Sequence, residues 1–404
     1  MADEIQAFYE RHPYPPPVED LERYRRLWQD DRRRRVDHHL VWPARPFERA
    51  PSVLVAGCGT SQAAKHALRW PDARVTGIDV SASSVRATLA LKRKHDLRNL
   101  EVRELPLEQV GALGATFDLI VCTGVLHHLA DPDAGLAALR DVLAPAGAMQ
   151  LMVYAPYGRT GVYMIQQLCR RIGVGATARD IADLVTALEA LPPGHPLDHL
   201  LREAPDFQDD SALADALLNP RDRAYSVPEV FELVERAGLA FGRWLRQAPY
   251  SPRCGVVAKL PFGDRFARLS LPEQHASVEL FRGTMVRHSF SVHRSADAAG
   301  AQRISFSGDL WPSYVPLRIP DTLCIRERLP PGAAAVLINR GHSYTDITLP
   351  IDARELAWFE AIDGARTIAA LAGGREPPGT AAAFFERLYE HDHIALDASA
   401  PAAA

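Results

Sequence analysis

Residues 51–81, PSVLVAGCGTSQAAKHALRWPDARVTGIDVS, decide how this chain folds. Ser52 to Ala56 is a short apolar, β-rich run, and Gly57, Cys58 and Gly59 follow it without a bulky side chain. The chain turns there. Gln62 to Trp70 continues as a helix whose free N-terminal N–H groups point back over the turn, which suits a ligand lying against bare backbone. A second strand, Ala73 to Ile78, ends at Asp79, 22 residues after Gly57. That spacing sets a carboxylate beside a ribose held over the turn. A glycine turn alone says less, because any tight strand-to-helix turn uses Gly for positive φ.

Working outward, SASSVRATLALKRKHDL reads as a helix capped by Ser81, and NLEVRELPLEQV as a strand running into a loop. FDLIVCTGVLHHLADPDAGLAALRDVLAPAGAMQLMVY supplies an apolar strand over Phe117 to Cys122, a helix over Asp131 to Leu143, and a further strand. Alternation of this kind builds a parallel sheet with helices on both faces. Residues 159–222 are helical by pattern, interrupted by PPGHP, and form an insertion longer than an ordinary connection. Ser226, Pro228 and Glu229 then spell a capped helix start. FGRWLRQAPYSP and CGVVAKL are expected to supply the last strands of the sheet.

Taken together, VLVAGCGTS, GIDVS, ELPLEQV, FDLIVCTGVLHHLADP and LAPAGAMQLMVY resemble the motifs of class I S-adenosylmethionine-dependent methyltransferases, over Pro51 to Ala155. The resemblance implies an α/β fold, a Rossmann-like doubly wound seven-stranded sheet with a helical insertion, and S-adenosylmethionine as cofactor. It also implies roles. Gly57, Cys58 and Gly59 approach the methionine portion and ribose, Asp79 accepts from the ribose hydroxyls, and Val80 packs on adenine. Glu104 and Leu105 lie on the adenine edge, and Cys122, Thr123 and Gly124 lie beneath the methionine portion. Two positions depart from the family pattern: Val55 stands where an acidic residue is common, and Ser61 where a third glycine is. A dinucleotide-binding unit is the rival, but it wants GxGxxG for a pyrophosphate, and here Gln62 takes the last glycine's place.

Methyl transfer from a sulfonium needs an in-line nucleophile, and positioning supplies most of the catalysis. A base is needed when the acceptor arrives protonated. His127, His128 and Tyr154, at the ends of strands four and five, are the catalytic candidates, although a histidine there also serves as a plain structural residue. Tyr157 and Arg159, with Tyr163, are read as lining the acceptor site, and Arg223 and Tyr225 as facing it. The N-terminal FYERHPYPPP cannot stay helical through its prolines. Its aromatic groups, Tyr9 and Tyr14 among them, are read as a lid on the substrate, the alternative being an arm that only packs on the domain.

A content of 47% hydrophobic and 24% charged residues marks a folded chain, and 404 residues allow two or three domains. The divisions expected are 1–50, a proline-rich lid segment; 51–260, the cofactor domain; and 261–404, a smaller α+β accessory domain with a winged-helix-like end. A net charge of −4 gives no general attraction to nucleic acid. The Arg32 to Arg35 run sits among Asp30, Asp31 and Asp37 as a solvated helix face. Five scattered cysteines suggest neither disulfides nor a zinc site. His288, His293, His342, His391 and His393 form no coherent ligand set, so no metal is expected. No uninterrupted apolar span of ~18 residues supports membrane insertion, and a cytoplasmic location is expected.

The partners expected are a small-molecule or peptide substrate, with a homodimer or protein contact through the C-terminal domain. Two alternatives are a scaffold that keeps the fold without catalysis, and an RNA methyltransferase, which would need a basic track near the strand ends.

Overall fold

The structure is a computed structural model that describes residues 4–203, 209–295, 304–373 and 378–399. Its chain divides into two compact units. The first comprises Met1–Leu27, Ala50–Ala237 and Arg282–His288; the second comprises Trp28–Arg49, Gly238–Phe281 and Ser289–Ala404. These limits differ from divisions at residues 50 and 260, because the helix Asp31–Val41 and the segment after Gly238 group with the C-terminal residues.

A seven-stranded sheet runs in the order β3-β2-β1-β4-β5-β7-β6. Its strands are β1 (Ser52–Ala56), β2 (Arg74–Asp79), β3 (Leu100–Glu104), β4 (Phe117–Thr123), β5 (Leu143–Tyr154), β6 (Leu239–Trp244) and β7 (Arg287–Arg294). β1 to β5 pair in parallel, and β6 is antiparallel to β7. The unbroken apolar reading of β1 and β4 follows from burial on both faces: Val53, Leu54, Leu119, Ile120 and Val121 are almost wholly enclosed.

Register places the site. Ala56 pairs with Ile78 and Val55 with Val121, so Gly57, Asp79 and Thr123 stand at neighbouring carboxyl ends of the strands. In a doubly wound sheet that is the ligand-binding edge.

CGVVAKL is not a strand but a 3-10 turn over Val257–Lys259, in a stretch punctuated by Gly255 at φ 64° and flanked by prolines. The last strand of the sheet is instead β7, from the stretch read as belonging to the C-terminal half. Seven of its eight residues are buried or partly buried, as in an interior strand, and the helix Leu271–Arg282 leads into it.

Between β5 and the helix Val227–Arg236, the first unit carries helices Thr160–Ile172, Ala178–Glu189, Asp198–Glu203 and Asp210–Leu218. They share a core of Val162, Ile165, Ile181, Leu184, Leu213 and Leu217, into which Phe8 from the N-terminal helix Glu4–Arg11 is inserted. The C-terminal part of the second unit contains a three-stranded sheet, in which β9 (Thr322–Ile325) and β11 (Thr348–Ile351) flank β10 (Ala335–Asn339), and a pair of β8 (Val315–Arg318) with β12 (Ile394–Asp397). Helices Ala353–Ala361 and Pro378–Glu390 pack on them through Trp358, Phe359, Phe384 and Phe385.

Candidate active site

At the first turn, Gly57 and Gly59 have φ of 67° and 51°. A Cβ on Gly59 would lie 3.1 Å from both Pro15 Cδ and the Tyr14 carbonyl oxygen, and one on Gly57 would run into Val125. Glycine is needed at both. Asp79 accepts from the Gly59 N–H at 2.7 Å through one oxygen and from the Ser81 N–H at 2.9 Å through the other. Burial raises its pKa, and these backbone donors oppose the rise. The carboxylate therefore fixes the shape of the turn. Val80 offers its carbonyl to Gln6, Leu105 donates to the Asp79 carbonyl, and Glu104 is exposed at the end of β3. Cys122 is buried with its thiol pushed up to about 12, and burial likewise raises Cys58, so neither is a thiolate at neutral pH. Thr123 and Gly124 are partly exposed at the end of β4.

These residues suit S-adenosylmethionine. Asp79 stands at the carboxyl end of β2 beside the glycine turn, and Ser61 Oγ, fully buried, has no hydrogen-bond partner among the described residues. A polar group left over at the turn is what a ligand's amino or carboxyl group would satisfy. Val55 is an interior strand residue, so no side chain there can do so.

The N-terminal arm crosses the same strand ends. The Tyr9 carbonyl accepts from Ser81 and Ser83 hydroxyls, Glu10 accepts from the Ser83 N–H at 3.2 Å, and the Thr60 hydroxyl donates to the Pro15 carbonyl at 2.7 Å. Tyr9 also donates its hydroxyl to Asp215 at 2.7 Å, and Asn219 donates to the Tyr9 oxygen. Burial raises the pKa of both Tyr9 and Asp215.

Beyond the end of β4, the structure brings together the three catalytic candidates and Arg159. The His127 ring lies 4.0 Å from the Tyr154 ring and 4.2 Å from the His128 ring, centroid to centroid. Arg159 places its guanidinium 3.7 Å from the Tyr154 ring centroid and 3.3 Å from Asp222 Oδ2, which also accepts from Gln166 at 2.8 Å. Burial opposes the Arg159 charge, but Tyr154 and Asp222 outweigh it and hold its pKa above the ordinary value. His128 Nδ1 donates to the Arg221 carbonyl at 2.6 Å. His127 is 1% exposed, and neither ring nitrogen has a partner among the described residues. Burial, then His128 and Arg159, drive its pKa well below that of a free imidazole. The ring is neutral, with a lone pair unused.

Asp222 reaches this cluster because the chain from Asn219 runs along its backbone. The Arg223 N–H donates to the His127 carbonyl, and the Tyr225 N–H to the Tyr154 carbonyl. Asp222, Asp215 and Gln166 were missed by sequence reasoning; a lone carboxylate between two arginines reads as a surface charge. Tyr225 is buried, but Arg223 is exposed and stacks on it at 4.7 Å, while Tyr157 is 40% exposed. The structure does not bring Arg223 or Tyr157 into the buried cluster. The Tyr14 carbonyl oxygen packs close against Gly59.

A methyltransferase-domain family model matches residues 54–149. The uncharacterized protein syc1184_c of Synechococcus sp. is 30% identical over 306 residues, 72% of this chain and 71% of that one. The ubiquinone biosynthesis O-methyltransferase of Psychrobacter arcticus is 33% identical over 101 residues, and the match spans 39% of its length. The solved structure of PKMT2 from Rickettsia typhi with AdoHcy superposes with a TM-score of 0.61 at 14% identity, covering 95% of this chain and 77% of that one. That likeness is one of fold. With the motifs, the strand order and the glycine turn in agreement with it, the chain belongs to the class I S-adenosylmethionine-dependent methyltransferases and uses S-adenosylmethionine as its methyl donor.

Proposed function

We propose that the chain methylates an oxygen or nitrogen atom of a small molecule or peptide, and that the cluster at His127 favours a hydroxyl oxygen. One observation carries the reading: a neutral imidazole, buried beside Tyr154, whose two nitrogens have no partner among the described residues. A buried polar group of this kind costs roughly 1–3 kcal/mol until something satisfies it. An acceptor hydroxyl does so by donating to the lone pair.

The charges agree. Arg159 and Asp222 neutralise each other, so the cluster offers an ammonium group no unpaired carboxylate and suits an uncharged acceptor. Gly57 to Gly59 and Asp79 hold the cofactor, which when bound supplies an electrophilic methyl group. His127 orients the acceptor oxygen and takes up its proton, and Tyr154 and Arg159 keep the imidazole in place. The helix Glu4–Arg11 limits access of water from above the turn. The name of the Psychrobacter relative, an O-methyltransferase, points the same way.

Incubation with methyl-labelled S-adenosylmethionine and matched panels of hydroxylated and amine-bearing metabolites and peptides tests this. Labelled ethers or esters are the expected products; label found only on nitrogen would overturn the preference for oxygen.

A further inference from the structure

We propose that His127, His128 and Asp222 form a binding site for a divalent cation of the zinc type, open at one position to the acceptor. One nitrogen of each histidine and one carboxylate oxygen of Asp222 lie within 4.8 Å of one another. All three side chains are enclosed: His127 is 1% and His128 3% exposed, and the Asp222 side chain is wholly buried. The inference rests on the reading that the acceptor meets the His127 cluster.

Each donor is prepared by a neighbour. The Arg221 carbonyl can only accept, so His128 carries its hydrogen on Nδ1 and its lone pair on Nε2. Gln166 and Arg159 both engage Asp222 Oδ2, and Oδ1 has no partner among the described residues. His127 has neither nitrogen engaged. A carbonyl behind a ligand histidine and donors behind a ligand carboxylate are the supports by which proteins orient metal ligands. Three enclosed groups, of which His127 and Asp222 Oδ1 have no partner among the described residues, thus lie within 4.8 Å of one another.

Two imidazoles and a carboxylate select a borderline ion such as Zn2+ or Co2+ over Mg2+ or Ca2+, which prefer oxygen. Bonds of ~2.0–2.1 Å in a tetrahedral site set ligand atoms about 3.3 Å apart, a convergence within reach of side-chain rotation. Three protein ligands leave the fourth position open. An acceptor hydroxyl entering there becomes more acidic and gives its proton to solvent as it binds, so His127, now a ligand, no longer takes the proton up. Arg159 bears on the same question: its charge opposes a second cation, and an acceptor ionised on entry restores the balance.

Full-length protein, stripped with a chelator, is titrated with Co2+ and followed by its visible absorption and by calorimetry, beside the variants His127→Gln and Asp222→Asn. One equivalent bound with a tetrahedral spectrum is expected, weakened at least tenfold in either variant. Gln166→Ala, which keeps all three ligands, is expected to weaken binding less than the ligand variants. No stoichiometric binding, or binding unchanged in the ligand variants, overturns the site. If chelator-stripped protein methylates a hydroxyl acceptor at an undiminished rate, the cation is excluded from the reaction while the proposed function stands. Cation binding without methylation of any hydroxyl acceptor instead counts against that function.

Discussion

The guanidinium carbon of Arg159 sits 3.7 Å from the centroid of the Tyr154 ring. Burial makes this contact strong, because a cation over an aromatic face gains most where water is excluded. It also makes Arg159 hard to replace, since Asp222 on its other side has no exposure. Arg159→Met leaves that carboxylate buried without its counter-charge, at a cost of about 3–5 kcal/mol. Urea denaturation reads this directly, and a variant within ~0.5 kcal/mol of the parent, the ordinary range of surface changes, would show the pair to be dispensable.

The Tyr9 hydroxyl ties the arm to Asp215 and Asn219. Tyr9→Phe removes both the donor to Asp215 and the acceptor for Asn219. We expect a loss of ~1–3 kcal/mol and faster proteolytic cutting between residues 11 and 20. Equal cutting rates in variant and parent would mean that Phe8 and the serine contacts suffice.

Asp79→Asn changes a charged acceptor that shapes the glycine turn. Hydrogen bonds to a charged group contribute ~1.5–3 kcal/mol, so S-adenosylhomocysteine should bind roughly 10 to 100 times more weakly by calorimetry. Unaltered affinity would remove Asp79 from the cofactor site.

Acid sensitivity follows from buried neutral histidines. Burial lowers His38 and His275 to about 4 and places His127 and His66 well below the ordinary value. A group with a depressed folded pKa binds fewer protons folded than unfolded, so stability rises with pH through this window. The contribution is complete above about pH 6.5, the unfolded value, and at pH 5 each such histidine has lost about 2 kcal/mol. Denaturation at pH 7.5 and 5.0 measures the difference; a stability that does not fall on acidification contradicts the assignment. Trp244, which donates to His275 at 3.0 Å, supplies a fluorescence probe of that titration.

The cofactor half was legible in the sequence because local rules decide it. Gly57 and Gly59 adopt the positive φ that the turn demands, Asp79 stands where the spacing placed it, and Ser81 caps its helix by accepting from the Ser84 N–H. The acceptor half was legible only in part. His127, His128 and Tyr154 could be named from their position at strand ends, but Asp222 and Asp215 come from helices and a return segment more than 50 residues away, and no local pattern announces that they are buried. β7 escaped for a related reason: its alternation described a strand without saying which sheet it would join.

Acceptor chemistry in this protein turns on His127 meeting the acceptor. The decisive measurement is the single-turnover rate of methyl transfer at saturating S-adenosylmethionine, using an acceptor from the labelled panel and comparing the parent with His127→Leu. A fall of roughly 100-fold or more, as loss of a positioned proton acceptor produces, with affinity for S-adenosylhomocysteine unchanged, is the predicted result. A rate within about twofold of the parent, well short of any such general-base effect, would contradict the account and make His127 a structural residue.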